Sequence, residues 1–292
     1  MQQFTISDIE QLTGIKAHTL RIWEQRYDFF KPKRKESRHR FYDNEDLKRL
    51  LRIAFLYHSG YKVSKINALS ENEINEAVRT ATVADGKYGL HIVQLIERAI
   101  DFDEQRFVQQ LNSVIDTIGF ERTILHVCYP FLIRVGLLWS ANNLIPAQEH
   151  FSTYLIQRKI IAETDRLTNV PLSNKAIVLF TPKGEQHEMP LLFINYLLKK
   201  TGWQTIYLGA SQSLETLKYI VEARNATHIY LHLLTNLSGF EVDDLLEKIC
   251  TTFPKQKVFA SGTGIYHAQR NFLNLIYLKS DEEIKKFIGV TI

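Results

Sequence analysis

Along the first 70 residues, apolar positions recur at the three- and four-residue spacing of short amphipathic helices, interrupted at Gly14 and Gly60. The run FTISDIEQLTGI predicts one short helix with Ser7 as its N-cap, Glu10 three residues on, and a close at Gly14. A second helix is expected from about Ala17 to Arg26, with Leu20, Ile22 and Trp23 as apolar contacts and Lys16, His18, Arg21 and Gln25 left polar. Two short helices joined by a Gly-containing turn form a helix-turn-helix, whose second helix can enter a major groove about 12 Å wide. The segment KPKRKESRHRFYD then reads as a basic wing ending in the β-prone Phe41-Tyr42. Asp43 caps a helix through about Ser59, with Asp46 in the capping-box position, and a short helix Ser64 to Leu69 closes the block.

Beyond this block the period stays helical and then changes. Residues 71–85 predict a helical extension leading to a hinge near 84–88, followed by helices at about 88–99, 103–117, 119–140 and 146–168, enough for a four-helix bundle. From Ala176 onward, short apolar runs at 176–180, 204–208, 228–233, 257–260 and 275–278 alternate with helices. That alternation specifies a parallel, doubly wound sheet, because parallel neighbours need crossover connections. The fold class is therefore multidomain, α followed by α/β: residues 1–72 a winged helix-turn-helix, 73–87 a helical linker, 88–170 a four-helix cap and 174–292 the α/β domain.

Composition narrows the class. The chain has 292 residues, 45% hydrophobic and 23% charged, in the range of globular proteins. No window approaches the ~18 uninterrupted apolar residues of a membrane span and the N-terminus carries no basic-then-apolar leader, so a cytoplasmic protein with no membrane partner is expected. Cys128 and Cys250 are too few for a disulfide framework and are expected as buried, reduced thiols. The first 70 residues hold 14 Lys and Arg against 8 Asp and Glu, so the basic excess belongs to the N-terminal quarter. Such a block suits a polyanion. On charge alone a solvated face explains it equally well.

The residues themselves add a resemblance. Thr19-Leu20-Arg21-Ile22-Trp23-Glu24-Gln25-Arg26-Tyr27, Pro32, Arg38-His39-Arg40-Phe41-Tyr42, Glu45-Asp46-Leu47 and Gly60-Tyr61 cover most of residues 4–70 in the order of the MerR family of winged helix-turn-helix regulators, which this segment resembles. The resemblance implies double-stranded DNA as partner, with Lys16, His18 and Arg21 facing the major groove and Arg38, Arg40 and Tyr42 on the wing near phosphates. Trp23 and Leu20 are expected in the core.

The middle and C-terminal segments carry a second resemblance. Trp139 is followed after nine residues by Glu149-His150, and His150, Tyr154 and Arg158 are spaced to share one helix face. A lone Trp at a helix end is ordinarily core. The whole arrangement, however, is similar to the helical domain of cobalamin-dependent regulators of the CarH/LitR type, implying that Trp139 covers the upper corrin face with Glu149 and His150 beside it. Ser140 stands where photoreceptor members carry a cobalt-capturing His, so a bis-His photoproduct is not expected.

In the loop after the first strand of the α/β domain, His187 lies at the edge where such sheets bind ligands, with Glu185 near enough to orient it. An exposed loop His is the plain alternative. Glu185-x-His187 matches the first half of the Asp/Glu-x-His-x-x-Gly motif of flavodoxin-like cobalamin-binding domains. This implies His187 as the lower axial ligand of cobalt, displacing the cofactor's own base, and Gly202 and Tyr207-Leu208-Gly209-Ala210 also fit. The sequence departs from the pattern at Pro190 (the motif Gly), at His232-Leu233-Leu234 (Ser-x-Leu) and at Ser261-Gly262 (paired Gly), where small residues make room for the displaced nucleotide tail. The resulting expectation is a non-enzymatic transcriptional regulator that binds adenosyl- or methylcobalamin and acts as a homodimer or tetramer. The alternative is a regulator with a degenerate corrinoid fold acting through protein partners.

Overall fold

The computed structural model of the chain describes residues 4–27, 33–34, 40–80, 88–140, 146–168, 176–234 and 241–289. It forms two compact units, Met1–Ile156 and Gln157–Ile292.

In the first unit, helix α1 (Ile6–Thr13) begins earlier than the sequence suggests. Thr5, not Ser7, is the N-cap, forming a capping box with Asp8. The reason lies upstream: Phe4 is fully buried and bridges Tyr42 antiparallel, so the chain enters extended at Thr5 and turns helical at once. Gly14 ends α1 at φ 71°, and Glu10 then accepts the Ala17 amide at 3.0 Å, capping the start of α2 (Ala17–Arg26). The wing is an antiparallel pair, β1 (Lys33–Arg34) and β2 (Arg40–Phe41), and α3 (Asn44–His58) starts from the expected Asp43–Asp46 capping box. Helices α4 (Val63–Asn67) and α5 (Glu71–Thr80) follow; the expected hinge at 84–88 lies for its greater part outside the described residues.

The bundle comprises α6 (Gly89–Ile100), α7 (Glu104–Ile118), a helix broken into α8 (Phe120–Thr123), a π-turn (Ile124–Cys128) and α9 (Tyr129–Ser140), and α10 (Pro146–Asp165). The π-turn sits where Pro130 removes an amide donor from the helical ladder: the preceding Tyr129 amide reaches back five residues to the Ile124 carbonyl. Phe107 packs edge-on against Phe131 and Phe151 in the core, and Gln148 donates to the Ile100 carbonyl at 2.9 Å. Within this unit α3 packs against α5 and α6. Lys48 is buried and reaches Asp101 at 3.0 Å, and Arg52 meets Glu97 at 3.0 Å and Asn75 at 2.7 Å.

The second unit carries a five-stranded sheet, β3 (Ala176–Pro182), β4 (Gln204–Gln212), β5 (His228–His232), β6 (Lys257–Ser261) and β7 (Leu275–Leu278), all parallel in the order β4-β3-β5-β6-β7. Between them run α11 (Met189–Lys200), α12 (Leu214–Ala223) and α13 (Val242–Thr252), with α14 (Asp281–Ile288) last. One face packs Val178, Phe180, Ile229, Leu231, Val258 and Ala260 against Leu217 and Val221 of α12 and Leu246 and Ile249 of α13. On the other, Tyr230 stacks on Phe287 of α14 and His228 meets Trp203 edge-on. The order of strands reverses between β3 and β5, the place where doubly wound sheets hold ligands beyond their carboxyl ends.

Candidate functional sites

Helix α2 is oriented by what it buries. Leu20 and Trp23 lie in the core, Trp23 edge-on to Tyr57 at 5.1 Å, which turns His18, Arg21, Ile22 and Gln25 outward on one face. Ile22, expected inside, is 39% exposed, because at 100° per residue it falls opposite the Leu20–Trp23 face. Lys16 stands exposed at the N-cap of α2, 3.1 Å from Glu10. Lys33 of the wing is engaged by Asp43 and lies 3.6 Å from Asp46, a partnership that holds its pKa above the ordinary lysine value.

Tyr42 departs from its expected role. It is fully buried and its hydroxyl donates to Glu24, so it ties the wing to α2 rather than meeting a phosphate. Arg40 sits in β2 opposite Arg34, with its side chain outside the described set; Arg38 lies wholly outside the described residues.

On α10, Glu149 accepts from the Thr153 hydroxyl at 2.9 Å and lies 3.3 Å from His150 Nδ1. His150, Tyr154 and Arg158 are all exposed along one side. Trp139 and Ser140 end α9, with their side chains outside the described set.

At the end of β3 the structure joins Glu185 and His187. Glu185 is 1% exposed; its Oε1 accepts from the His187 amide at 2.8 Å and lies 2.6 Å from His187 Nδ1, while its Oε2 accepts from the Leu234 amide at 2.9 Å. One carboxylate thus spans the two loops that diverge at the switch point. The carboxylate holds the Nδ1 proton, which puts the imidazole lone pair on Nε2, and the His187 side chain is 44% exposed.

Residues that the sequence did not single out brace this loop. Thr181 donates to the Glu185 carbonyl at 2.6 Å and accepts the Ser211 amide at 2.9 Å, and the Gly184 amide donates to Ser211 Oγ at 3.1 Å. Ser211 adopts φ 57°, a left-handed conformation with no sequence signature in a Ser. Tyr207 donates to Glu188 at 2.7 Å, and burial pushes its phenol pKa up. Gly209, at φ 79°, lets this pair approach, since a Cβ there would stand 2.8 Å from Glu188 Oε1. Pro190 lies in the first turn of α11, where its missing amide is harmless.

The departures at β5 and β6 form a connected group. His232 is buried with Nδ1 2.9 Å from Ser261 Oγ, and Tyr230 Oη lies 2.6 Å from the same oxygen. His232 Nε2 is buried and has no hydrogen-bond partner among the described residues.

A family model described as MerR HTH family regulatory protein matches residues 4–73, and one described as B12 binding domain matches residues 92–162. The chain thus carries a match to a MerR-type helix-turn-helix followed by a match to a B12-binding domain. The chain is similar to the HTH-type transcriptional repressor CarA of Myxococcus xanthus, 28% identical over 287 residues, covering 96% of this chain and 94% of that one. It is also similar to the repressor CarH of the same organism, 23% identical over 259 residues, covering 86% of each chain. Its fold is similar to that of the Methanosarcina barkeri monomethylamine corrinoid protein, with a TM-score of 0.53 at 15% identity over 68% of this chain and 96% of that chain. CarA and CarH are both transcriptional repressors, and the regulators of the MerR HTH type that the chain's N-terminal segment matches bind DNA. Among the chain's described residues no helix is long and apolar enough to cross a membrane.

The donor chemistry of these residues fits a corrinoid. A half-exposed imidazole whose tautomer is fixed by a buried carboxylate is a suitable donor to a metal held by a macrocycle, and the unpartnered Nε2 of His232 leaves a polar atom for a ligand to meet.

Proposed function

We propose that the regulator binds a cobalamin, adenosyl- or methylcobalamin, through its C-terminal half, and that occupancy controls its assembly and its binding to operator DNA. The single observation that carries this reading is the Glu185–His187 pair, 2.6 Å apart at the strand-order reversal, with Glu185 anchored to the Leu234 amide. His187 would hold the cobalt through Nε2, with Glu185 keeping the proton on Nδ1; Thr181 and Ser211 keep the loop from shifting. When bound, the cofactor would supply a cobalt centre able to accept an imidazole ligand. Trp139, Glu149 and His150 are the cap-helix residues that the sequence resemblance assigns to the cofactor.

On DNA, Lys16, His18, Arg21 and Gln25 of α2 enter the major groove while Arg38 and Arg40 of the wing meet phosphates. The outward orientation of α2, fixed by buried Leu20 and Trp23, supports this reading. Two copies on a palindromic operator would occupy half-sites about 34 Å apart, one helical turn. The experiment is gel filtration and operator binding with and without methylcobalamin: a change in both assembly and affinity is expected. A corrinoid that binds without altering either would leave the protein-partner alternative.

A further inference from the structure

The turn between α6 and α7 grips a helix on either side of it, and each grip is incomplete. Phe102, in that turn, adopts φ 52°, a left-handed conformation that a bulky side chain keeps only where its surroundings enforce it. Its ring packs edge-on against Phe151 of α10 at 5.4 Å, and Gln148 of α10 donates to the Ile100 carbonyl at the end of α6 at 2.9 Å. Gln148 is buried, yet its Oε1 has no hydrogen-bond partner among the described residues. Glu149 and the exposed His150 follow it directly on α10.

Toward α3 the same turn presents charge. Asp101 takes Lys48 on both carboxylate oxygens, each at 3.0 Å, and Lys48 is shared with Glu45 at 2.8 Å. One turn back on α6, Glu97 Oε1 lies 3.0 Å from Arg52 Nε but makes no hydrogen bond among the described residues. Arg52 spends its protons elsewhere, Nε on the Lys48 carbonyl at 3.3 Å and Nη1 on Asn75 of α5 at 2.7 Å. Burial pushes the Glu97 carboxyl above the ordinary glutamate range against the pull of Arg52. A buried carboxylate left partly unmatched loses in desolvation much of what its ion pair gains. This contact therefore fixes the position of α3 while adding little net stability, and such a contact can open.

Helix α3 passes the contact on. Lys48 and Arg52 lie four residues apart on one face of its fifteen residues, and its last turn touches the two helices that read DNA. Tyr57 stands edge-on to Trp23 of α2 at 5.1 Å, and His58 Nε2 donates to the Thr13 carbonyl, at the end of α1, at 2.8 Å. We propose that the α6–α7 turn is a latch coupling α10 to α2: when Gln148 and Phe151 shift, the turn releases Lys48 and Arg52, and α3 resets Trp23. A ligand seated against Glu149 and His150 then acts on the DNA-reading helix within one subunit, in addition to any effect on assembly. That consequence rests on the corrinoid reading above; the latch itself does not.

The test is hydrogen exchange of the full-length protein without corrinoid, read at α2 and at α7, in the parent, Gln148→Leu, the double variant Asp101→Asn/Glu97→Gln, and the triple variant. Gln148→Leu should speed exchange of the α2 amides about fivefold and the double variant about tenfold, with α7 changed less than about twofold. In the triple variant α2 should exchange no faster than in the double, because the route from Gln148 is already cut. An α2 indifferent to Gln148→Leu, effects that multiply in the triple variant, or a rise shared equally by α7 each overturns the latch. Affinity for DNA selected from a random library, with and without methylcobalamin, separates the two proposals. A response to methylcobalamin that persists undiminished in the double variant overturns the latch as its route. No response in the parent, with the exchange pattern as expected, overturns the corrinoid reading and leaves the latch standing.

Discussion

Glu185 and His187, two residues apart in a single loop, are joined twice: Glu185 Oε1 accepts the His187 amide at 2.8 Å and lies 2.6 Å from His187 Nδ1. The carboxylate's second oxygen takes the Leu234 amide from the loop beyond β5, so the ring's orientation is set by two strands at once. Glu185→Gln can still accept from the imidazole with its amide oxygen, but it then turns an NH2 toward the Leu234 amide, and two donors face each other. Corrin affinity should fall about 10- to 100-fold. Equilibrium dialysis with methylcobalamin checks this, and unchanged affinity would count against the orienting role.

Tyr42 is a test of where the DNA surface ends. With its ring fully buried and its hydroxyl on Glu24, Tyr42→Phe should destabilise the first unit by about 1–3 kcal/mol by removing a hydrogen bond to a charged group. The dependence of DNA affinity on salt should be unchanged, whereas loss of a phosphate contact would make that dependence shallower. Urea unfolding and a salt series of DNA titrations separate the two outcomes.

How far the sequence disclosed the molecule depends on the range of the interactions involved. The parallel sheet and its crossovers were legible because apolar runs and helical spacing are local signals, and α3 was legible because Asp43 and Asp46 lie three residues apart. The start of α1 was not, since Thr5 became the cap through a bridge between Phe4 and the distant Tyr42. Ile22 and Tyr42 exchanged their expected environments for the same reason: which side of α2 faces inward is decided by Tyr57 and Glu24, not by periodicity in ten residues. At the candidate site after β3 the Glu-x-His motif was visible. The left-handed Ser211 and the Leu234 amide that complete it belong to the backbone and have no residue signature.

The outward position of Ile22 leads to an expectation about base reading. An exposed aliphatic group flanked by Arg21 and Gln25 is suited to the 5-methyl group of thymine. On DNA selected from a random library by the full-length protein, replacing the contacted thymine by deoxyuridine should weaken binding about fivefold, and the same replacement should have no effect on Ile22→Ala. Arg21→Ala should relax sequence preference, while Arg40→Ala should weaken all sequences alike. If deoxyuridine is neutral at every position, Ile22 does not read bases.

Acid should loosen the second unit. A histidine whose pKa is pushed by burial from 6.5 to about 4 contributes stability that is present above about pH 6.5 and is lost as pH falls toward about 4, because the unfolded chain takes up the proton first. Glu185 nearby opposes this shift and His187 adds to it. The loss should reach about 3 kcal/mol at pH 4. Hydrogen exchange of the β5 amides from pH 7 to pH 4 should show it, and His232→Gln should flatten the dependence; equal slopes in the two proteins would assign the acid sensitivity elsewhere.

His187 is the proposed ligand of cobalt in a bound corrinoid. The most direct measurement is the absorption spectrum of methylcobalamin mixed with the parent protein and with His187→Ala, recorded before and after desalting. The parent should retain the corrin bands with the signature of imidazole in place of the cofactor's own base, and His187→Ala should lose that signature and most of the retained corrin. A variant that keeps the corrin with the parent's spectrum, or a parent that keeps none, would contradict the account.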